Sequence, residues 1–284
     1  MSLHGGDIWN LAASHGLSPD RVLDFSSSLN PLGVPESVRR LLADQFDLAR
    51  PYPDPEYREL RSGLAAWLGL AADQMAVGNG ASELIREILM VLKPRRVLVP
   101  MPGFAEYGRA ARALGIEVVH HFTDAAAGFR LDPEALDRQI KRDQPDLVFI
   151  CNPNNPTAVQ LDRPTMEAIA GVVQAAGAWL VVDETFIELS RLGNAASLAP
   201  LLCGLTTGVH QLQSPGERLI VLRALTKTFA LAGLRLGYLA APAETAGRIR
   251  DSLVPWSVNG FAARLGGIFG EEAAYLERTA AWMA

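Results

Sequence analysis

The sequence has 284 residues, of which 49% are hydrophobic and 20% are charged, so it can bury a large core and is not disordered. Its 26 basic and 31 acidic side chains give a net charge of −5, which argues against a nucleic-acid or anionic-membrane binder. The two cysteines, Cys151 and Cys203, form no CxxC pair, so we expect neither a disulfide framework nor a bound metal. Because no apolar run reaches the about 18 residues of a membrane span and no signal peptide is evident, a cytoplasmic protein is expected.

The chain up to residue 60 is irregular, with short helices. Proline and serine are frequent in residues 24–33, and proline recurs in residues 50–55. Since proline fixes φ and removes an amide donor, these stretches are expected to be extended segments or turns. Between them, Pro35 to Leu42 begins with the proline and glutamate typical of a helix start.

From about residue 75 the pattern becomes regular, with short β-branched runs alternating with helical periodicity. Ala81–Leu92 and Arg163–Ala176 are the clearest predicted helices. Near-continuous apolar strands separated by helices predict an α/β domain with a mostly parallel sheet covered on both faces. The predicted strands are 97–99, 116–119, 147–150, 179–182 and 219–222.

Two later segments are less regular. Residues 191–217 are rich in Gly, Ser and Leu and only weakly periodic, which leaves two alternatives, a helix with an inserted loop or a mobile flap. After Pro255 the pattern turns helical and continues to Ala284.

Polar motifs follow three of the predicted strands, where the active sites of parallel sheets form. An Asn-Pro-Asn-Asn-Pro motif that includes Asn155 follows one strand, Asp183 follows the next, and Lys227 follows the third. Upstream, a glycine-rich turn opens a helix at Ala81, where free amides and the helix dipole suit an anion. Each motif alone has a commoner structural explanation, as a turn, a helix cap or a surface charge.

Together these motifs match the requirements of one small molecule, pyridoxal phosphate (PLP). A lysine forms a Schiff base with its aldehyde, and a carboxylate keeps its pyridine nitrogen protonated, which makes the ring an electron sink. An asparagine can donate to the phenolate oxygen, and a helix N-terminus with a hydroxyl and an arginine can hold the phosphate. Phe104 follows another strand, at a place suited to stacking on the ring.

The residues of these motifs resemble fold-type I PLP enzymes of the aspartate aminotransferase superfamily. They look closest to histidinol-phosphate aminotransferases and to L-threonine-O-3-phosphate decarboxylases of cobalamin biosynthesis, over essentially the whole chain. The resemblance implies a large domain with a mostly parallel seven-stranded sheet and a small C-terminal domain. It divides the chain into an N-terminal arm with part of the small domain (1–45), the PLP-binding domain (46–255) and an incomplete start of the C-terminal small domain (256–284).

The resemblance also assigns roles to residues. Lys227 would form the Schiff base and Asp183 would pair with the pyridine nitrogen. The other expected cofactor contacts are Asn155 at the phenolate oxygen, Phe104 on the ring face, Ala81, Ser82, Thr226 and Arg235 at the phosphate, and Tyr52 from the second subunit of a homodimer. The expected contacts for a phosphorylated amino-acid substrate are His4, Gly5, Ser28 and Asn155.

The N-terminal pattern favours the decarboxylases over the aminotransferases. His4-Gly5-Gly6 and Asn30-Pro31-Leu32-Gly33 look like the decarboxylase pattern, and Phe104 and Phe186 stand where the aminotransferases usually carry tyrosine. The expected reaction is therefore PLP-dependent decarboxylation of L-threonine O-3-phosphate. A histidinol-phosphate-type aminotransferase and an inactive PLP-binding homologue are the alternatives.

The sequence departs from the family pattern at several positions. Ala224 replaces a hydroxyl that often contacts the phosphate, Ala158 replaces a usual glycine, and Ser28 replaces a frequent asparagine. The chain stops before the C-terminal arginines that clamp substrate in relatives, so a truncated chain or an impaired activity is expected. Cys151 is expected to be buried and without a chemical role.

Overall fold

The computed structural model describes residues 5–203, 216–268 and 272–283. The strands of these residues are β1 (Met75–Gly78), β2 (Arg96–Met101), β3 (Glu117–Phe122), β4 (Leu147–Cys151), β5 (Trp179–Asp183), β6 (Leu219–Ala224) and β7 (Gly237–Ala240). They form one sheet in the order β1-β7-β6-β5-β4-β2-β3, in which β7 alone runs antiparallel to the other six. The predicted mostly parallel, seven-stranded sheet is therefore confirmed.

Helices cover both faces of the sheet, because successive strand side chains point to opposite faces and both sets are apolar. The α-helices are α1 (Ile8–Ser14), α2 (Glu36–Asp44), α3 (Arg58–Leu68), α4 (Ala81–Leu92), α5 (Ala105–Ala113), α6 (Pro133–Asp143), α7 (Arg163–Ala175), α8 (Leu225–Thr228), α9 (Ala243–Ser252), α10 (Gly260–Ala263) and α11 (Ala273–Met283). Val182 faces one apolar core, which includes residues of α3, α6 and α7, and Val181 faces the other, which includes residues of α4, α5 and α9.

All five predicted strands are present and extend one to three residues beyond the predicted C-terminal ends. The strand predicted at 116–119 begins one residue later, and that at 97–99 one residue earlier. Helix α4 has the predicted bounds, and α2 and α7 differ from the predicted ones by one or two residues. The weakly periodic segment after residue 191 forms two 3-10 turns, Gly193–Ala196 and Ala199–Leu202. Residues 204–215 lie outside the described part of the chain, so neither alternative for them is tested.

The C-terminal residues pack onto the large sheet domain. Val258, Leu265 and Tyr275 are buried in the same apolar core as Leu60 and Leu64 of α3. The division of the chain at residues 45 and 255 stays a prediction. Within the described residues, no helix is long and apolar enough to cross a membrane.

Candidate active site

A cavity of about 490 Å³ opens at the carboxyl ends of β4, β5 and β6. These strands are parallel neighbours, so the segments that follow them come together at one edge of the sheet. Segments distant in sequence, including the N-terminal residues and the start of α4, complete the wall. Ten of the predicted site residues line this cavity: Gly5, Ser28, Ala81, Ser82, Phe104, Asn155, Asp183, Thr226, Lys227 and Arg235.

Two predicted contacts are not among the lining residues. His4 lies outside the described residues. Tyr52 is 79% exposed, and its ring lies tilted against that of Trp256, with 4.7 Å between the ring centroids. An exposed ring away from its own cavity is compatible with the predicted role across a subunit interface, which stays a prediction.

Asp183, the last residue of β5, is a buried carboxylate held in a fixed orientation. Its Oδ2 accepts a hydrogen bond from the Tyr107 hydroxyl at 2.7 Å, and its Oδ1 accepts one from the Thr185 amide at 3.0 Å. Burial raises the pKa of Asp183, and the hydrogen bonds from Thr185 and Tyr107 partly offset this rise. A cationic donor in the cavity would therefore be strongly favoured beside this carboxyl.

Lys227 lies on α8, a single helical turn that begins directly after β6. The side chain is half-buried, and its Nζ is 6.0 Å from the centre of the Phe186 ring. Burial lowers the pKa of Lys227, and the positive charge of Arg235 lowers it further. Since only the neutral amine attacks a carbonyl carbon, this environment suits a lysine that bonds to an aldehyde.

The glycine-rich turn before α4 forms an anion cradle together with Arg235. Gly80 caps the helix at φ +82°, and a Cβ on it would lie 2.5 Å from Arg235 Nη2. The start of α4 also lies close to the start of β7, since a Cβ on Gly237 would lie 2.6 Å from the amide nitrogen of Ala81. Both glycines are needed for this close approach. Free amides at the N-terminus of α4 and a guanidinium are the donors that a phosphate dianion prefers.

Phe104, shortly after β2, lines the cavity, and two further aromatic rings pack behind it. Phe104 meets Tyr107 edge to face at 5.4 Å, and Tyr107 stacks on Phe149 at 4.8 Å. Tyr107 thus supports both Phe104, which is predicted to stack on the ring, and Asp183. No role was predicted for Tyr107, although it lies only three residues after Phe104.

The Asn-Pro motif after β4 forms a tight turn next to the cavity. Asn154 Nδ2 donates to the Pro102 carbonyl at 3.0 Å and to Thr157 Oγ1 at 2.7 Å, and the Ala158 amide donates to the Asn154 carbonyl at 2.8 Å. Ala158 has φ +58°, in the left-handed region that favours glycine. The glycine usual at this position therefore has a physical reason, and Ala158 is strained.

The expectation for Cys151 is wrong in one respect, since this residue is half-buried and lines the cavity. It is the last residue of β4 and is paired in register with Asp183. Burial raises the pKa of its thiol, which keeps it protonated. Sequence reasoning also missed Thr185, Glu106, Ser26 and Ser27, which line the cavity, although each neighbours a predicted residue or segment.

Comparison with known proteins agrees with this geometry. The profile of a family described as aminotransferase class I and II matches residues 20–266. The chain belongs to this family. Its fold is that of the fold-type I PLP-dependent enzymes, and their cofactor is PLP. The residues around the cavity fit PLP: Lys227 for the aldehyde, Asp183 for the pyridine nitrogen, Phe104 for the ring face, and Arg235 with the start of α4 for the phosphate.

Both decarboxylases and aminotransferases are among the similar proteins. A threonine-phosphate decarboxylase of Salmonella typhimurium is 38% identical over 99% of this chain and 74% of its own length. The crystal structure of a histidinol-phosphate aminotransferase from Clostridium acetobutylicum is 29% identical, with a TM-score of 0.79 over 92% of this chain and 73% of its own. A histidinol-phosphate aminotransferase of Sinorhizobium meliloti, solved with pyridoxal-5'-phosphate, has a TM-score of 0.80 at 21% identity over 99% of this chain and 72% of its own. The chain thus spans about three quarters of the length of these proteins.

Proposed function

We propose that this family member decarboxylates L-threonine O-3-phosphate to (R)-1-amino-2-propanol O-2-phosphate and CO2, a step of cobalamin biosynthesis. The main support for this proposal is the position of the N-terminal segment, whose sequence resembles the corresponding pattern of the decarboxylases. Gly5 and Ser28 of this segment line the same cavity as Lys227. The 38% identity with a threonine-phosphate decarboxylase over nearly the whole chain supports the same reaction.

PLP supplies an aldehyde that captures the substrate amine and a protonated ring that withdraws electrons from Cα. Asp183, held by Tyr107 and Thr185, provides the negative charge that keeps the ring nitrogen protonated. Arg235 and the N-terminus of α4 anchor the phosphate.

The choice of the bond that breaks depends on how the chain orients the substrate. The bond at Cα that stands perpendicular to the conjugated ring is the one that overlaps its π system, so a decarboxylase must hold the carboxylate out of the ring plane. Gly5 and Ser28 are the residues proposed to bind the anionic substrate, so that binding energy far from Cα orients the reacting bond. When the Cα–carboxylate bond breaks, CO2 leaves and the electron pair stays with Cα. Lys227, which would take up the proton released by the incoming substrate ammonium, would then return a proton to that carbon.

We further propose that two copies of the chain form the working enzyme. Tyr52 is exposed and away from its own cavity, and we assign it to the cavity of the second subunit. A homodimer is the simplest closed assembly in which each copy completes the other's site.

A histidinol-phosphate-type aminotransferase is the second candidate, favoured by the 29% identity with the Clostridium acetobutylicum enzyme. The same residues would serve, but the Cα–H bond would stand perpendicular to the ring, and Lys227 would move that proton. Such an enzyme requires a keto acid as amino-group acceptor.

The distinguishing experiment is mass analysis of products after adding PLP and O-phospho-L-threonine, with no keto acid. The proposal predicts release of CO2 and formation of aminopropanol phosphate by the parent and by Lys93→Ala, and no product from Lys227→Ala. Lys93 is the matched control because it is an exposed lysine outside the cavity. Turnover only of histidinol phosphate with 2-oxoglutarate would instead assign the chain to the aminotransferases.

A further inference from the structure

A fully buried ionic cluster lies behind Lys227. Arg223 of β6 donates to Glu184 Oε2 through Nη2 at 2.7 Å and to Glu188 Oε1 through Nη1 at 2.6 Å. The exposed fractions of these side chains are 2% for Arg223, 1% for Glu184 and 5% for Glu188. None of the three lines the cavity, so the proposed chemistry does not use them directly.

The cluster joins the two segments that carry the central residues of the site. Glu184 directly follows Asp183, and its amide donates to the Leu222 carbonyl of β6 at 2.8 Å. Thr228 directly follows Lys227, and its Oγ1 donates to Glu188 Oε2 at 3.2 Å. A continuous path of buried polar contacts therefore runs from the residue after Asp183, through Arg223 and Glu188, to the residue after Lys227.

The charges of the cluster suit a positioning device better than a source of stability. Burial disfavours the guanidinium, but the two carboxylates outweigh this effect and raise the pKa of Arg223 above its ordinary value. Burial also raises the pKa of Glu188, against the attraction of Arg223. Because desolvation offsets much of the attraction, a buried ion pair adds little net stability, whereas its directed hydrogen bonds fix geometry.

We infer that the Arg223–Glu184–Glu188 cluster, acting through Thr228, is a positioning device that fixes the Lys227 amine relative to the Asp183 carboxylate. The inference rests on the proposed roles of Lys227 and Asp183 in holding PLP. The single turn of α8 takes its orientation from contacts with the rest of the chain, such as the hydrogen bond from Asn30 Nδ2 to the Thr228 carbonyl, because so short a helix is unstable alone. The Thr228–Glu188 hydrogen bond supplies part of this constraint from the side of the helix that faces away from the cavity.

The test compares Thr228→Val with Thr228→Ser and with Thr245→Val. Valine keeps the shape of threonine and removes the hydroxyl, whereas serine keeps the hydroxyl. Thr245 is the matched control because it is a buried threonine on α9, outside the cluster and the cavity. Each variant is loaded with PLP, and two quantities are measured: the rate of PLP release into a trapping solution and the pH midpoint of the lysine-linked PLP absorbance.

We expect Thr228→Val to release PLP about three- to tenfold faster, the effect of losing one hydrogen bond, and to shift the pH midpoint. Thr228→Ser and Thr245→Val should retain the parent values of both quantities. Parent values for Thr228→Val, or equal changes in Thr245→Val, would overturn the inference. The assay uses no substrate, so a failure of the proposed reaction does not affect it, and loss of the absorbance in Lys227→Ala tests the cofactor assignment separately.

Discussion

Burial shifts the pKa values of Lys227 and Asp183 in opposite directions, and in both residues it favours the neutral form. It lowers the pKa of Lys227 and raises the pKa of Asp183, so each neutral form is favoured relative to the group in water. A ligand that bonds to the Lys227 amine and places a cation beside the Asp183 carboxylate would offset the cost of burying both groups. The PLP-free protein therefore loses stability at these positions, which is usual for functional sites.

Lys227→Met is expected to stabilise the PLP-free protein in a pH-dependent way. Because the pKa of Lys227 is lower in the folded chain than its ordinary 10.5, the unfolded chain binds more protons, and the lysine destabilises the fold below its folded pKa. The gain in Tm from Lys227→Met should be largest near neutral pH and should shrink as the pH rises toward 10.5. Thermal unfolding across this range measures the gain, with Lys93→Met as control. A gain independent of pH would contradict the assigned pKa shift.

Ala158→Gly is expected to raise the free energy of unfolding by about 1 kcal/mol, since Ala158 has a left-handed backbone that glycine adopts without strain. Urea denaturation measures the change. The control is Ala71→Gly at φ −87°, where glycine only increases the freedom of the unfolded chain and should cost about 0.4–1 kcal/mol. Equal destabilisation by both substitutions would show that φ at residue 158 is not positive.

The sequence was most informative about residues that directly follow strands. Asn155, Asp183 and Lys227 were predicted together because parallel strands end at one edge, and all three line one cavity. Tyr107 and Arg223 were missed as functional candidates, because their importance lies in partners 76 and 39 residues away in the chain. An arginine at the end of an otherwise apolar strand run is the signal that points to a buried ion pair.

At the element scale, the anion cradle depends on strands that the sequence did not indicate. β1 and β7 have four residues each, too few for a clear period, and β7 brings Gly237 against the start of α4. Helix α4 itself was predicted with its observed bounds, because its glycine start and apolar period agree. Four residues were too few to reveal β1 and β7, whereas the twelve residues of α4 show a clear helical period.

Gly80→Ala is expected to weaken PLP binding about 10- to 100-fold, because the new Cβ would push Arg235 away from the phosphate cradle. Titration of the PLP-free protein with PLP, followed by absorbance, measures the effect. Gly115→Ala is the control for a positive φ: its φ of +72° also strains alanine, but no atom outside its chain neighbours lies within 4 Å of the added Cβ. If both substitutions weaken PLP binding by the same factor, the weakening comes from backbone strain and not from displacement of Arg235.

At the scale of the whole molecule, the proposed homodimer predicts that two inactive variants restore each other. In a hybrid of Tyr52→Ala and Lys227→Ala chains, one cavity would have an intact Lys227 and an intact Tyr52 from the other copy. Co-expression should therefore restore product formation from O-phospho-L-threonine in about a quarter of the cavities, the share expected from random pairing.

The matched control is co-expression of Lys227→Ala with Asp183→Asn. Both residues line the same cavity of one copy, so no hybrid would have an intact site. Restoration in the control, or none in the Tyr52 pair, would contradict the assignment of Tyr52 to the second subunit.

Borohydride reduction of the PLP-loaded protein, followed by peptide mass mapping, identifies the lysine that bonds to the cofactor. The sequence has only three lysines, Lys93, Lys141 and Lys227, so the attachment site can be read without ambiguity. Only Lys227 lines the cavity. We predict a pyridoxyl adduct on Lys227 alone. An adduct on Lys93 or Lys141 with none on Lys227 would contradict the account of the site.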